Sequence, residues 1–306
     1  MIGFVFPGQG SQQIGMGADL FSFSELAKKY YNFANRLLDF DLKKVSFEGT
    51  EDDLKQTYVT QPALFVHSVI LDVLLKERGV TPEIVAGHSL GEYSAVVSAG
   101  ALSFEEALPL VKLRGELMQH AGERQPGTMA AIIGLSEEVV EKVCEAASSE
   151  GVVVTANFNS PGQIVISGSV EGVHRAMELA REKGARRVVE LVVSGAFHSP
   201  LMESAVRELE NAIKAADFRK PEIPIVSNVT AQAATDPKEI QANLVKQLTH
   251  PVRWVESVNE MISKGVTQFF EVGSGRVLTG LSKRINRSIP CASIGTVQDL
   301  EKVSIE

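Results

Sequence analysis

Short apolar runs alternate with amphipathic stretches along the first third of the chain. The pattern predicts a strand over 2–6, a helix over 24–38, a helix over 61–78 stopped by Gly79, and a strand at Ile84-Val85-Ala86 that leads into a helix after Ser89. Such βα order implies a mostly parallel sheet covered on both faces. Ser103-Phe104-Glu105-Glu106 is a capping box that opens a helix to about residue 120, with Pro109 expected to kink it. Residues 122–127 read as a linker. The pattern then changes to strand 129–133, helix 136–147, strands 152–156 and 163–167, helix 170–183 and strand 187–192. This βαββαβ order is that of a ferredoxin-like unit. From Ser199 the earlier rhythm resumes: a helix to 216, a strand over 223–227, helices over 238–247 and 252–263, a strand over 268–272, a helix to 286 and a strand over 291–294. The expectation is an α/β protein, with a large domain from 1–124 and 195–306 interrupted by a small ferredoxin-like domain over 125–194. The stretch after Thr296 carries no readable pattern.

Composition narrows the class. At 306 residues, 44% hydrophobic and 22% charged, the chain can bury a full α/β core. Cys144 and Cys291 form neither a disulfide framework nor a metal-ligand spacing, so a reducing, cytoplasmic setting is expected. The apolar run at the N-terminus lacks basic residues and meets Pro7-Gly8, as a first strand does and a signal peptide does not. No run approaches membrane-spanning length on inspection. A net charge of -8 argues against a general nucleic-acid binder, and an acidic partner would need a local basic patch.

Gly87-His88-Ser89-Leu90-Gly91 has the spacing of a nucleophile elbow, with a strand before and a helix after. A strand that turns straight into a helix brings the residues two before and two after the serine together, which calls for glycine at both. Ser89 is therefore the candidate nucleophile, and the N–H of Leu90 faces the space where an oxyanion would form. The alternative is an ordinary glycine-flanked turn.

A serine hydroxyl needs a base, and six histidines compete. His67 and His174 fall inside predicted helices, His120 at a helix end, and His88 must point away from an outward Ser89. His198 lies in a loop between a strand and a helix begun by Ser199 and Pro200, where α/β active sites form, and is favoured over His250. Arg114 falls at the centre of an apolar helical stripe with Ala107, Leu110, Val111, Leu117, Met118 and Ala121, so its guanidinium needs an anion: an internal carboxylate, or the carboxylate of a substrate held by the planar fork. Pro7-Gly8-Gln9-Gly10-Ser11-Gln12 fails the dinucleotide fingerprint because Gln13 stands at the third glycine, and no nucleotide-triphosphate loop occurs. The loop still suits a second oxyanion donor at Gln9, or a plain βα turn. No cofactor or metal is expected.

Together with Asn157-Phe158-Asn159-Ser160-Pro161-Gly162-Gln163, Phe197-His198-Ser199 and Glu271-Val272-Gly273, these motifs resemble those of the malonyl-CoA:acyl carrier protein transacylases, in the family's order and over essentially the whole chain. The resemblance implies a hydrolase-like large domain beside a ferredoxin-like small one. It implies that Ser89 carries the malonyl ester, His198 is the base, Arg114 grips the malonyl carboxylate, and Gln9 with Leu90 forms the oxyanion hole. It further implies that the backbone carbonyl of Gln247 orients the base in place of an acid, and no Asp or Glu stands out in the sequence for that task. By the same resemblance Phe197, just before the base, implies malonyl rather than branched acyl units, and Met118 and Asn159 complete the expected substrate contacts.

The implied partners are malonyl-CoA and an acidic acyl carrier protein serving fatty acid or polyketide synthesis, with the chain itself expected to be a monomer. Lys183, Arg186 and Arg187, or Lys283, Arg284 and Arg287, are candidate docking residues, the alternative being a solvated basic face. Two other functions use the same features: a serine hydrolase or thioesterase of acyl-CoA, and a non-catalytic acyl-binding module.

Overall fold

The structure is a computed structural model that describes residues 1–303. Among the described residues the strands are β1 (Ile2–Phe6), β2 (Ile84–Gly87), β3 (Gly127–Ile133), β4 (Val153–Ser160), β5 (Gln163–Ser169), β6 (Arg187–Glu190), β7 (Ile225–Val226), β8 (Ala233–Ala234), β9 (Gln268–Val272) and β10 (Cys291–Ile294). They fall into a six-stranded sheet ordered β10-β9-β1-β2-β7-β8 and a four-stranded sheet ordered β4-β5-β3-β6. All pairings in the larger sheet are parallel except β7 with β8, and those of the smaller are antiparallel. The smaller sheet, with helices Glu137–Ala147 and Val170–Glu182 on it, has the ferredoxin-like strand order.

β1 lies in the middle of the large sheet, and Phe4, Val5 and Phe6 are wholly buried because helices cover both faces. One cover is the helix Thr57–Glu77, apolar around nearly its whole circumference. It is long and apolar enough to cross a bilayer, which corrects the expectation that no segment reaches that length; 89% of its most apolar window is buried inside the protein, so it is a core helix. Phe104 stacks on Tyr30 at 4.2 Å and on Phe65 at 5.7 Å between ring centroids. Three helices are thereby joined by aromatic burial worth about 1.5–3 kcal/mol per fully buried side chain.

Several local expectations change. The helix opened at Ser103 has its capping box, with Ser103 Oγ accepting from Glu106 N at 3.2 Å and Glu106 Oε2 accepting from Ser103 N at 2.8 Å. It runs without a break through Pro109 to Arg124. Gly122, read as linker, is helical and sits where a Cβ would lie 1.9 Å from the Ser194 carbonyl oxygen, so its glycine serves close approach rather than a turn. The stretch after Thr296 forms the helix Val297–Lys302, capped by Thr296 Oγ1 and anchored by buried Leu300. Short helices Ala18–Phe23, Leu42–Glu48 and Glu51–Lys55 join those expected. β4 extends past residue 156 to Ser160 by continuing its pairing with β5, and on its other side Val252 N donates to Ala156 O at 2.8 Å and Phe158 N to Val252 O at 2.9 Å. That extension ties the small sheet to the large sheet's loops and carries Asn157 and Asn159 to the cleft between them.

Candidate active site

The elbow forms at the carboxyl end of β2. A Cβ on Gly87 would lie 1.8 Å from the Gly91 carbonyl carbon, and one on Gly91 would lie 2.0 Å from the Phe6 carbonyl oxygen, so both positions require glycine. Between them Ser89 has φ +51°, a left-handed conformation that a serine holds only under external constraint. Asn228 supplies the constraint: its Oδ1 accepts from Ser89 N at 2.7 Å while its Nδ2 donates to Gly87 O at 2.6 Å. The bend leaves Ser89 Oγ at the floor of a cavity of about 180 Å³ between the two sheets. A larger cleft of about 570 Å³ lies on the edge of the large sheet near β10 and holds neither the elbow serine nor a histidine.

His198, also at positive φ (+58°) and only 3% exposed, brings Nε2 to 2.9 Å from Ser89 Oγ. Its Nδ1 lies 2.8 Å from the carbonyl oxygen of Gln247, which can only accept, so Nδ1 carries the proton and Nε2 is the acceptor for the serine hydroxyl. Burial, then the nearby Arg114 charge, push the imidazole pKa from 6.5 down to about 3. The ring is a neutral base at physiological pH. Among the other histidines, His88 points away from Ser89 and donates to Asn159 Oδ1 at 2.8 Å, and His250 is exposed with its ring on Lys246 O. His67 is buried in the helix Thr57–Glu77, and among the described residues neither ring nitrogen has a hydrogen-bond partner.

Arg114 is 1% exposed. Its Nη1 donates to Gln61 Oε1 at 2.7 Å, and its Nη2 to Gln247 Oε1 at 2.8 Å and to Ser89 Oγ at 3.0 Å. Its guanidinium carbon lies 5.6 Å from the centroid of the Tyr93 ring. Among the described residues it forms no ion pair, so the internal carboxylate considered above is not in contact with it. Burial lowers its pKa from 12.5, and nearby Tyr93 and Glu92 oppose that shift. The cation thus rests on neutral oxygens, with Ser89 Oγ at one corner of its fork.

Gln9, Leu90, Met118, Asn159 and Phe197 line the same cavity. Among the described residues the N–H groups of Gln9 and Leu90 have no protein acceptor. Of the candidate docking residues, Lys183, Arg186, Arg187, Lys283, Arg284 and Arg287 are all exposed, and Arg284 donates to Gln163 Oε1 at the cavity wall. Sequence reasoning missed Gln61, Asn228 and Glu92. The first two carry no motif and reach the site only through the tertiary fold. Glu92 stands directly after the elbow, and its carboxylate is buried beside the site instead of facing solvent from the first helical turn. It does not touch His198; it accepts from Gln247 Nε2 at 2.6 Å.

The chain is similar to known proteins along nearly its whole length. The acyl transferase domain family matches residues 3–302. The malonyl CoA-acyl carrier protein transacylase of Bacillus subtilis is 45% identical over 301 residues, covering 98% of this chain and 95% of that protein. The crystal structure of an acyl carrier protein S-malonyltransferase from Vibrio cholerae superposes with a TM-score of 0.95 at 44% identity, covering 99% of each chain. A malonyl-transacylase solved in complex with its type II polyketide synthase acyl-carrier protein superposes equally well, with a TM-score of 0.95 at 41% identity over 98% of this chain and 97% of that one. With identity of this order along its whole length, the chain belongs to the malonyl-CoA:acyl carrier protein transacylase family.

Proposed function

We propose that the protein moves a malonyl group from CoA to the phosphopantetheine thiol of an acyl carrier protein through an ester on Ser89, supplying fatty acid or polyketide synthesis in the cytoplasm. The observation that carries this reading is the sharing of one hydroxyl: Ser89 Oγ is 2.9 Å from the base His198 Nε2 and 3.0 Å from Nη2 of a buried cation that makes no ion pair among the described residues. A nucleophile and a carboxylate receptor meet at one point, which suits an acyl group with an acid tail.

In the first half-reaction His198 Nε2 takes the Ser89 proton as Oγ attacks the malonyl thioester carbon. The tetrahedral oxyanion is received by the N–H groups of Gln9 and Leu90. Its collapse breaks the carbon–sulfur bond, and the imidazolium returns the proton to the CoA thiolate. In the second half-reaction the carrier's thiol gives its proton to His198 and attacks the ester, and Ser89 leaves with that proton restored. The Gln247 carbonyl holds the imidazole and receives the charge that develops on Nδ1–H. Arg114 grips the malonyl carboxylate, while Met118, Phe197 and Asn159 shape the pocket around it. The exposed basic groups at 183–187 and 283–287 offer the surface for an acidic carrier.

The test is CoA release from malonyl-CoA with and without holo carrier protein. Carrier-dependent release with malonyl-carrier as product supports the transferase. Equal release to free malonate without carrier would make the protein a hydrolase instead.

A further inference from the structure

Gln247 presents both ends of its side-chain amide to the site, and only one orientation works. Its Oε1 faces a donor, Arg114 Nη2, at 2.8 Å. Its Nε2 faces three oxygens: Ser89 O at 3.0 Å, Asn228 Oδ1 at 3.5 Å and Glu92 Oε2 at 2.6 Å. Turned over, the amide would set NH2 against guanidinium and oxygen against three acceptors. Of the three, Glu92 Oε2 is the nearest and the only one that belongs neither to the elbow backbone nor to Asn228. The same Glu92 oxygen accepts from Asn228 N at 3.3 Å, which ties it to the residue that holds the elbow. Glu92 is 2% exposed, faces the cation through Gln247, and has no role in the transfer steps above.

We infer that Glu92 is a positioning residue: its carboxylate fixes the direction of the Gln247 amide, so that Arg114 is held by an oxygen and its fork stays directed at the acyl group on Ser89. The inference rests on the transferase reading above. The arrangement gives the buried cation a fixed oxygen without filling its fork, as a directly paired acid would. It also explains why a carboxylate beside the elbow leaves the imidazole alone: the glutamine stands between them, using its backbone for His198 and its side chain for Arg114.

Three replacements separate orientation from charge and from packing. Glu92→Gln keeps an acceptor at the same reach and removes the charge. Glu92→Asp keeps the charge and withdraws the acceptor by one methylene. Glu92→Met keeps volume and removes the acceptor. With folding of each variant checked by thermal unfolding, kcat and KM are measured for malonyl-CoA and acetyl-CoA in the presence of carrier. Glu92→Gln is expected to stay within about threefold of the wild type, whereas Glu92→Asp and Glu92→Met lose about tenfold or more in malonyl kcat/KM and shift selectivity toward acetyl. The inference is overturned if Asp preserves selectivity and Gln loses it, if all three fall alike with selectivity intact, or if none changes. If Met yields no folded protein, the Gln and Asp pair decides. A wild type that transfers no malonyl would sink the functional reading instead, and is seen before any variant is made.

Discussion

A guanidinium 1% exposed that donates to two amide oxygens and a hydroxyl is still a cation without an anion, and an acyl group ending in methyl leaves it so. Arg114→Ala is therefore expected to raise the barrier for malonyl-CoA by about 2–5 kcal/mol while leaving acetyl-CoA unchanged or improved. The ratio of the two kcat/KM values checks this, and an unchanged ratio removes Arg114 from the site. The base makes a separate prediction. With its pKa held at about 3, His198 is unprotonated far below the ordinary histidine value of 6.5, so histidine protonation should leave kcat/KM flat well below pH 6.5. A limb centred on 6.5 that vanishes in no other variant would show a solvent-exposed, ordinary imidazole. At this scale the sequence was informative where the need is local. The glycine spacing around Ser89 and the polar residue in Arg114's apolar stripe are visible in a window of a few residues. Gln61, Asn228 and the direction of Glu92 are set by partners 53, 139 and 155 positions away, which no window contains.

The elbow is an element in its own right, a strand end and a helix start pressed together without side chains. Gly87→Ala drives a methyl into the Gly91 carbonyl at 1.8 Å, and relief requires pulling β2 away from the helix that follows. The expected loss exceeds about 4 kcal/mol, the exceptional range for one substitution, and appears as insolubility or a large fall in Tm. By contrast, Ser103→Ala removes one capping bond from the long helix that carries Arg114 and should cost about 1 kcal/mol, read by denaturant unfolding. Long elements were legible because three or more turns repeat their pattern. Leu42–Glu48 and Glu51–Lys55 are too short to show a period, although Asp41 and Thr50 cap them, and β8 is two residues long. The bridge from β4 to Val252 joins residues far apart in the chain and so leaves no mark in a local window.

For the molecule as a whole, two charge effects matter. His67 and His198 are held neutral by burial, with pKa values down from 6.5 to about 4 and about 3. Below 6.5 the unfolded chain binds protons that the folded one refuses, so stability is full above that value and is lost as pH falls toward the folded values. Glu92 runs the other way. Its pKa is raised by burial from 4.5 to about 7, and stability is lost as pH rises through that window. His67→Leu, which removes two unpartnered ring nitrogens, should flatten the acid limb of Tm against pH without loss at neutrality, and an unchanged limb would show that His67 titrates normally. The second effect is docking. The chain carries a net charge of -8, so an acidic carrier must be received locally. Arg187→Glu is expected to raise the carrier KM by roughly threefold to tenfold at low salt, with the difference shrinking as salt is added. Equal KM values at low salt would place the docking surface elsewhere.

Incubation with malonyl-CoA in the absence of carrier, followed by intact-protein mass measurement and mapping of the modified peptide, tests the central claim most directly. The account predicts a single malonyl adduct on Ser89, discharged by holo carrier protein and absent from Ser89→Ala. A protein that stays unmodified, or an adduct on any other side chain, would contradict it.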